Sequence, residues 1–382
     1  MIHRALNIPK LLEKSSQFLL GARGTGKSSL IRHSLDGMAA DYIDLLDSRS
    51  YLRLQNEPYQ LSSMIHKSIV IIDEIQRIPE LLNEVHRLIE NEGRRFLLTG
   101  SSARKLRKSG SNLLAGRAYP NLMCPLTWSE LEAAGKFDLR RYLQRGGLPR
   151  AYLEDDARDF LYAYVDTYLK EEIQAVALVR NLVNYSRFLE QAALCSGEIL
   201  NYTKIAQDAQ LAPNTVRDYY QILEDTLLGF LLPPWTKSKK RKAVSTAKFY
   251  FFDLGIMHAL NQVENLPPVG ELFGRAFEHF IAQEIRAYLA YHRFRQTLGF
   301  WRTKHQQEVD FIIGDQVAIG VKSAQRVSER EHAGLVTIGE EQTWSRRLVI
   351  SQDPQRMRFA NGIEHMHWRD FLGELWADQV LR

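Results

Sequence analysis

One octapeptide, Gly21-Ala22-Arg23-Gly24-Thr25-Gly26-Lys27-Ser28, constrains this chain more than any other stretch. It satisfies GxxxxGK[ST] at every fixed position. It also lies where the chemistry needs it, directly after the apolar run Gln17-Phe18-Leu19-Leu20 and directly before the helical run beginning Ser28-Ser29-Leu30-Ile31. The glycines let backbone N–H groups curl around phosphates, and the helix N-terminus adds positive potential. Residues Gly21 to Ser29 are therefore expected to line a nucleotide site. Lys27 would reach the β- and γ-phosphates of ATP, and the Ser28 hydroxyl would ligate Mg²⁺. A Gly-rich turn with an incidental lysine would require neither the strand before it nor the helix after it.

A second signal is independent of the first. Ser68-Ile69-Val70-Ile71-Ile72-Asp73 reads as an apolar strand ending in Asp73-Glu74. At that distance after a phosphate loop, Asp73 is expected to hold Mg²⁺, directly or through water. Glu74 is expected to orient and deprotonate the attacking water. A further strand, Arg94–Gly100, ends in Thr99-Gly100-Ser101-Ser102, where the Thr99 or Ser101 hydroxyl could sense the γ-phosphate. An N-cap for a following helix is the alternative use of those hydroxyls. An arginine neutralising transition-state charge would complete the chemistry; Arg117 is the first candidate, with Arg104 and Arg145 behind it.

Strands at 17–20, 41–47, 68–73 and 94–100 alternate with helical segments. Of these, Pro79–Glu92 carries Leu81, Leu82, Val85, Leu88 and Ile89 at helical spacing, with Gly93 as its stop. The pattern predicts an α/β domain with a parallel sheet covered on both faces. With 382 residues, two or three domains are expected. Two cysteines, Cys124 and Cys195, far apart and without clustered histidines, argue against a disulfide framework or zinc site and fit a reducing cytoplasm. No apolar run has the length of a membrane span, and the start lacks the apolar stretch of a signal peptide.

From about 139 to 197 the pattern turns helical, interrupted by Gly146-Gly147-Leu148-Pro149. Residues 198–232 then read as a short helix over 203–210, a turn at Leu211-Ala212-Pro213, and a second helix capped by Asn214 or Thr215. That second helix carries Val216, Tyr219, Tyr220, Leu223 and Leu227 inward. Helix, turn, helix, then an apolar strand is the layout of a winged helix-turn-helix. Asn214, Thr215 and Arg217 would sit at its exposed recognition face. A protein-binding module of the same fold is the competing reading. The net charge of +5 permits nucleic-acid binding. Lys237, Lys239, Lys240, Arg241 and Lys242, free of acidic neighbours, would lie on the wing against a phosphate backbone.

Taken in order, these parts resemble the prokaryotic AAA-type P-loop ATPases that carry a winged helix and a C-terminal restriction-endonuclease-like domain. The resemblance rests on 21–28, 71–76, LLTGSS (97–102), LAGR (114–117), GGLP (146–149), KFYFFDLGI (248–256), FGRAFEHFI (273–281) and EVDFII (308–313), and covers nearly the whole chain. It implies a P-loop ATPase domain (1–137), a helical lid or linker (138–197), a winged helix (198–256) and an endonuclease-like domain (257–382). It also implies a homo-oligomer such as a hexameric ring. In the nuclease pattern Glu278, Asp310 and Lys322 match the helix acid, strand acid and lysine, while Gly320 stands where a second strand acid belongs. Metal-dependent hydrolysis needs two or more converging acids. The site is therefore expected to be degenerate unless Glu308, on the same strand face as Asp310, compensates. The expectation is a cytoplasmic Mg²⁺-dependent ATPase acting on DNA. A signalling switch with protein partners and an ATP-licensed nuclease are the alternatives.

Overall fold

The computed structural model describes residues 2–102, 114, 116–168 and 181–381. Five parallel strands form the N-terminal sheet in the order β2-β3-β4-β1-β5: β1 Ser16–Leu20, β2 Ala40–Asp44, β3 Ile69–Asp73, β4 Arg95–Gly100 and β5 Ala118–Leu122. The central strands β1, β3 and β4 bury nearly every residue, as strands covered on both faces must. Ile72, Leu98, Leu82 and Leu88 pack on one face, while Leu19, Ile71, Leu97 and Ile31 pack on the other.

Four of these strands match the alternating pattern read from the sequence. β5 was not anticipated, because Ala118-Tyr119-Pro120-Asn121-Leu122 has aliphatic side chains only at its two ends and a proline at its centre. It pairs with β1 alone, and an edge strand tolerates a residue that cannot donate to a ladder. Helix Leu81–Glu92 ends on Gly93 at φ 65°, the left-handed stop its sequence implied.

Beyond residue 126 one apolar cluster runs through the rest of the molecule. It joins Leu126 and Tyr142 of the segment after the sheet, Phe188 and Tyr220, Phe249 and Phe251, Phe280, Ile319 and Leu372. The helix-turn-helix consists of helices Tyr202–Asp208 and Pro213–Asp225, followed by the antiparallel hairpin β6 Gly229–Leu232 and β7 Lys248–Phe251. Two details differ from expectation. The second helix starts earlier than read, at Pro213 with Ala212 as its N-cap and no side-chain cap, because proline's fixed φ suits the first helical position and so places Asn214 and Thr215 inside the first turn. Leu227 lies past the helix end at φ 61°, whereas Val216, Tyr219, Tyr220 and Leu223 are buried as read.

The C-terminal sheet has six strands in the order β12-β13-β11-β10-β9-β8. These are β8 Leu298–Arg302, β9 Glu308–Ile313, β10 Val317–Val321, β11 Arg346–Ser351, β12 Met357–Arg358 and β13 Ile363–His367. β8, β9 and β10 are antiparallel neighbours, and β11 lies parallel to β10 after a crossover through helix Ala333–Ile338. The 21-residue helix Glu271–Tyr291 precedes the sheet, and its residues Phe277, Phe280 and Ile281 are fully buried. Among the described residues no helix is long and apolar enough to cross a membrane.

Candidate nucleotide site and the elements around it

Loop 21–26 bends between β1 and helix Lys27–Ser34 with Gly24 at φ 81° and Gly26 at φ 94°, where a side chain would be strained. Gly21 is required for a different reason: a Cβ there would stand 2.5 Å from the Met123 carbonyl oxygen. Lys27 is buried and donates to the Gly21 oxygen at 2.7 Å and the Ala22 oxygen at 3.2 Å, so its ammonium lies across the loop. The Ser28 hydroxyl, one residue on, donates to Asp73 Oδ2 at 3.3 Å. A hydroxyl and a carboxylate converging at the mouth of the loop are the hard oxygen donors Mg²⁺ prefers, so the residues present fit that ion.

The ends of β3 and β4 explain one another. Thr99 donates to Asp73 and accepts the Glu74 N–H at 3.2 Å, which fixes Asp73. Glu74 is held at φ 61°, a left-handed conformation that for a non-glycine residue carries strain and is found disproportionately at functional sites. Gln76 donates both to Glu74 and to Ser101 Oγ, the latter at 3.1 Å, and its Oε1 is buried without a partner among the described residues. Gly100 leaves it room, since a Cβ there would lie 2.5 Å from that oxygen. Neither Gln76 nor Tyr42 was singled out from sequence. Tyr42 donates to Asp73 Oδ2 at 2.5 Å, and burial together with Asp73 pushes its phenol up. No motif marked it; only the β2–β3 pairing reveals it.

A cavity of about 360 Å³ opens from Gly26 and Ser29 and continues between Leu6, Leu30, His33, Leu126, Pro149 and Leu153. Its apolar lining beside the phosphate loop suits a flat aromatic base. The N-terminal segment 2–7 forms one wall, a contribution that no spacing in the sequence signals.

Residues 13–132 match the sequence model of the AAA domain. The N-terminal third of this chain is an AAA-type P-loop ATPase domain. Residues 136–266 and 273–371 match two domains of unknown function, DUF8612 and DUF4143. No curated protein matches. Among solved structures the chain is similar to a STAND ATPase with a tetratricopeptide repeat sensor from Pyrococcus horikoshii, at 14% identity and a TM-score of 0.23. That match covers 77% of this chain and 48% of the other, so the chain spans about half the length of that ATPase. The Drosophila origin recognition complex bound to AT-rich DNA and Cdc6 gives 12% identity, coverage of 66% and 88%, and a TM-score of 0.23. A protein from Vibrio cholerae gives 11% identity, coverage of 95% and 97%, and a TM-score of 0.20. Superpositions this loose say nothing about shared chemistry.

The rest of the chain closes over the ATPase domain. Gly24 lies 3.5 Å, measured to its would-be Cβ, from the Tyr164 ring, with Leu148 and Phe160 alongside, and the Tyr164 hydroxyl donates to the Arg23 carbonyl at 3.0 Å. The GGLP turn is itself held from further along the chain. The buried Asp253 carboxylate accepts the N–H groups of Gly147 at 2.8 Å and Leu148 at 3.1 Å, and caps helix Leu254–Leu260 through Ile256. Arg4, also buried, bridges the Thr25 carbonyl, Glu130 and the Tyr291 hydroxyl of the long C-terminal helix.

The arginines divide by position. Arg117 precedes β5, which runs parallel to β1, so it lies at the end of the sheet opposite the phosphate loop, roughly five residues or ~16 Å along the strand. It pairs there with Glu90. Arg145 lines a different cavity, with Arg158, His258 and Glu264. Arg104 lies outside the described residues.

On the second helix of the helix-turn-helix, Asn214 and Arg217 are exposed, Thr215 is half-buried, and Arg217 lies 5.0 Å over the Tyr202 ring. The basic stretch does not project as a free wing. It packs along the C-terminal sheet: Trp235 and Val244 hydrogen-bond to the β8 backbone, and Lys237 pairs with Asp315 at 2.5 Å. Arg241 pairs with Glu340 and Glu341, and the buried Glu341 also accepts the backbone N–H groups of Lys239 and Lys240. The acids that balance this stretch come from residues 315 and 340–341, between 78 and 102 positions downstream. The side chains of Lys239, Lys240 and Lys242 are exposed.

Glu278, Asp310 and Lys322 are brought together, with Glu308 beside them. Lys322 Nζ stands 3.9 Å from Asp310, and Asp310 accepts the Val321 N–H at 2.7 Å. Burial, reinforced by the Glu278 charge, raises the Asp310 carboxyl to about 6. Glu308 pairs with Arg302 at 3.2 Å and with Lys248 of β7 at 2.7 Å.

Proposed function

We propose that this chain is a Mg²⁺-dependent ATP hydrolase that couples the nucleotide cycle to binding and remodelling of, or translocation along, DNA. The observation that carries the coupling is the continuous set of contacts from the loop to the distal elements. Tyr164 bonds the Arg23 carbonyl of the loop, Leu148 stands over Gly24 beside it, and Leu148 hangs on Asp253, which follows β7 of the hairpin. Ser102, at the end of the γ-phosphate-facing strand β4, donates to the Asp225 carbonyl at 3.4 Å, where the second helix of the helix-turn-helix ends. A shift of the loop on nucleotide binding therefore has one packed route to the end of the β6–β7 hairpin, and a shift of β4 has another to the second helix of the helix-turn-helix.

Within the site, Lys27 would neutralise the phosphates and Glu74 would take the proton of the attacking water. Ser28 and Asp73 would hold Mg²⁺, which shields charge on the phosphate oxygens. Thr99 orients Asp73 rather than facing the phosphate. Arg117 can meet a phosphate only in a second copy of the chain, which favours a homo-oligomer with sites completed across subunits. We read the helix-turn-helix and hairpin as a winged helix whose exposed Asn214 and Arg217 and half-buried Thr215 face DNA, with Lys239, Lys240 and Lys242 nearby. We read the C-terminal sheet, with its α-β-β-β-α-β order, as a restriction-endonuclease-like fold without a complete metal centre.

ATP turnover alone and with single-stranded, duplex and branched DNA at two salt concentrations tests the reading, with Lys27→Ala and Glu74→Gln as controls. Stimulation of several-fold, suppressed by salt, is expected. Turnover indifferent to every DNA would return the helix-turn-helix to the protein-partner reading.

A further inference from the structure

Lys248 is the unusual member of the C-terminal cluster. It belongs to β7, far from the acids in sequence, and is 4% exposed. Its backbone is fixed on both sides, paired with Leu232 of β6 and bridged to Ile199. From that anchored position its ammonium enters between two carboxylates, 2.7 Å from Glu308 and 3.3 Å from Glu278, and lies 5.4 Å from the Phe300 ring centroid. Tyr250, two residues on and on the same face of the strand, donates its hydroxyl to Glu278 at 2.6 Å.

The charges around the ammonium balance. Glu278, Glu308 and Asp310 face Lys248, Lys322 and Arg302, each base within 4.0 Å of at least one acid. Adding a dication would leave a buried excess of positive charge, and buried charge is tolerated only when paired. Two of the acids, Glu278 and Glu308, are engaged by Lys248, and the third, Asp310, by Lys322. Among the described residues no group of three or more acids, histidines or cysteines is arranged to hold a metal.

We propose that the Lys248 ammonium is the resident cation of this cluster, standing where a divalent metal would bind in a phosphodiesterase centre. The cluster thereby locks the β6–β7 hairpin to the C-terminal domain. The inference rests on the endonuclease-like reading of the C-terminal fold and is independent of ATP hydrolysis. It adds a reason for inertness beyond Gly320, whose position is not sterically closed: a Cβ there would sit 3.5 Å from Leu335 and 4.0 Å from Asp310, ordinary contacts.

The experiment is a Mn²⁺ titration of nucleotide-free full-length protein, read from the electron paramagnetic resonance of the free ion. Wild type is expected to show no site that Asp310→Asn removes. Lys248→Ala combined with Gly320→Glu is expected to gain one such site, at least tenfold tighter than any in wild type, and Asp310→Asn is expected to abolish it. A Mn²⁺ site in wild type that Asp310→Asn removes would overturn the proposal, and that measurement needs no cavity variant to fold. A folded double variant that binds Mn²⁺ no better than wild type would overturn it equally. ATP turnover of the same preparations reports the ATPase reading separately.

Discussion

The Asp73 carboxylate serves three hydroxyls at once. Thr99 takes one oxygen, while Tyr42 and Ser28 share the other, Tyr42 more closely at 2.5 Å against 3.3 Å. A cation approaching Ser28 and Asp73 must compete with the Tyr42 hydroxyl for that shared oxygen. A hydrogen bond to a charged group is worth roughly 1.5–3 kcal/mol, and about 1.4 kcal/mol is tenfold in an equilibrium. Tyr42→Phe is therefore expected to lower the Mg²⁺ concentration for half-maximal ATP turnover by about tenfold. A rise instead would mean that Tyr42 aims Asp73 rather than opposing the metal. The acid itself was legible because an apolar strand ending in Asp-Glu after a phosphate loop has one dominant use. Tyr42 was not, because its role depends on which strand lies beside β3, and that is a matter of topology rather than local spacing.

Among the elements, the turn at 146–149 links the most parts. The sequence showed it as a break in a helical region and as one of the motifs of the family resemblance, without saying what it contacts. The structure shows why the break is glycine-rich: a Cβ on Gly146 would stand 2.2 Å from an Asp253 oxygen, and one on Gly147 2.6 Å from the Tyr142 hydroxyl. The tight approach allows one carboxylate to satisfy three backbone N–H groups on two elements. Asp253→Ala leaves those donors buried without an acceptor, at a cost on the order of 3 kcal/mol. It should loosen Leu148 against Gly24 as well. The expected result is a lower unfolding midpoint together with reduced ATP turnover, while Asp253→Asn, which keeps an acceptor oxygen, should lose less of both. Equal stability loss with unchanged turnover would separate the turn from the nucleotide cycle. The basic stretch teaches the converse. Its lysines were visible at once, but the acids that claim Lys237 and Arg241 arrive only when the C-terminal sheet folds back, so charge counted along the chain overstated the free positive surface.

At the scale of the whole molecule, the ATPase sheet and the C-terminal domain meet around helix Glu271–Tyr291, and the contact contains a buried acid. Glu284 accepts the Trp128 N–H at 2.7 Å and the Trp376 indole N–H at 2.9 Å, so it ties the first segment after the ATPase sheet to the last helix. Burial is the largest influence on it and raises its carboxyl to about 8, against a usual value of 4.5, although both donors pull the other way. Between those values the folded protein holds a proton that the unfolded chain has released. Stability linked to Glu284 is therefore fully present below the unfolded pKa and lost as pH rises through the folded one, with a slope of at most about 1.4 kcal/mol per pH unit. Buried His258 and His279, both lowered to about 4 mainly by burial, act in the opposite sense and cost stability as pH falls from the usual histidine range toward 4. Two histidine slopes outweigh one carboxyl slope below the usual histidine value of 6.5, so the combined contribution of these three groups peaks near there. The check is a thermal melt series from pH 5 to 9: the midpoint should fall above pH 7 in wild type, and Glu284→Gln should flatten that alkaline limb and steepen the acid limb, where its slope opposes that of the histidines. An alkaline limb that persists in Glu284→Gln would assign it to another group and leave this acid ionised in its apolar seat.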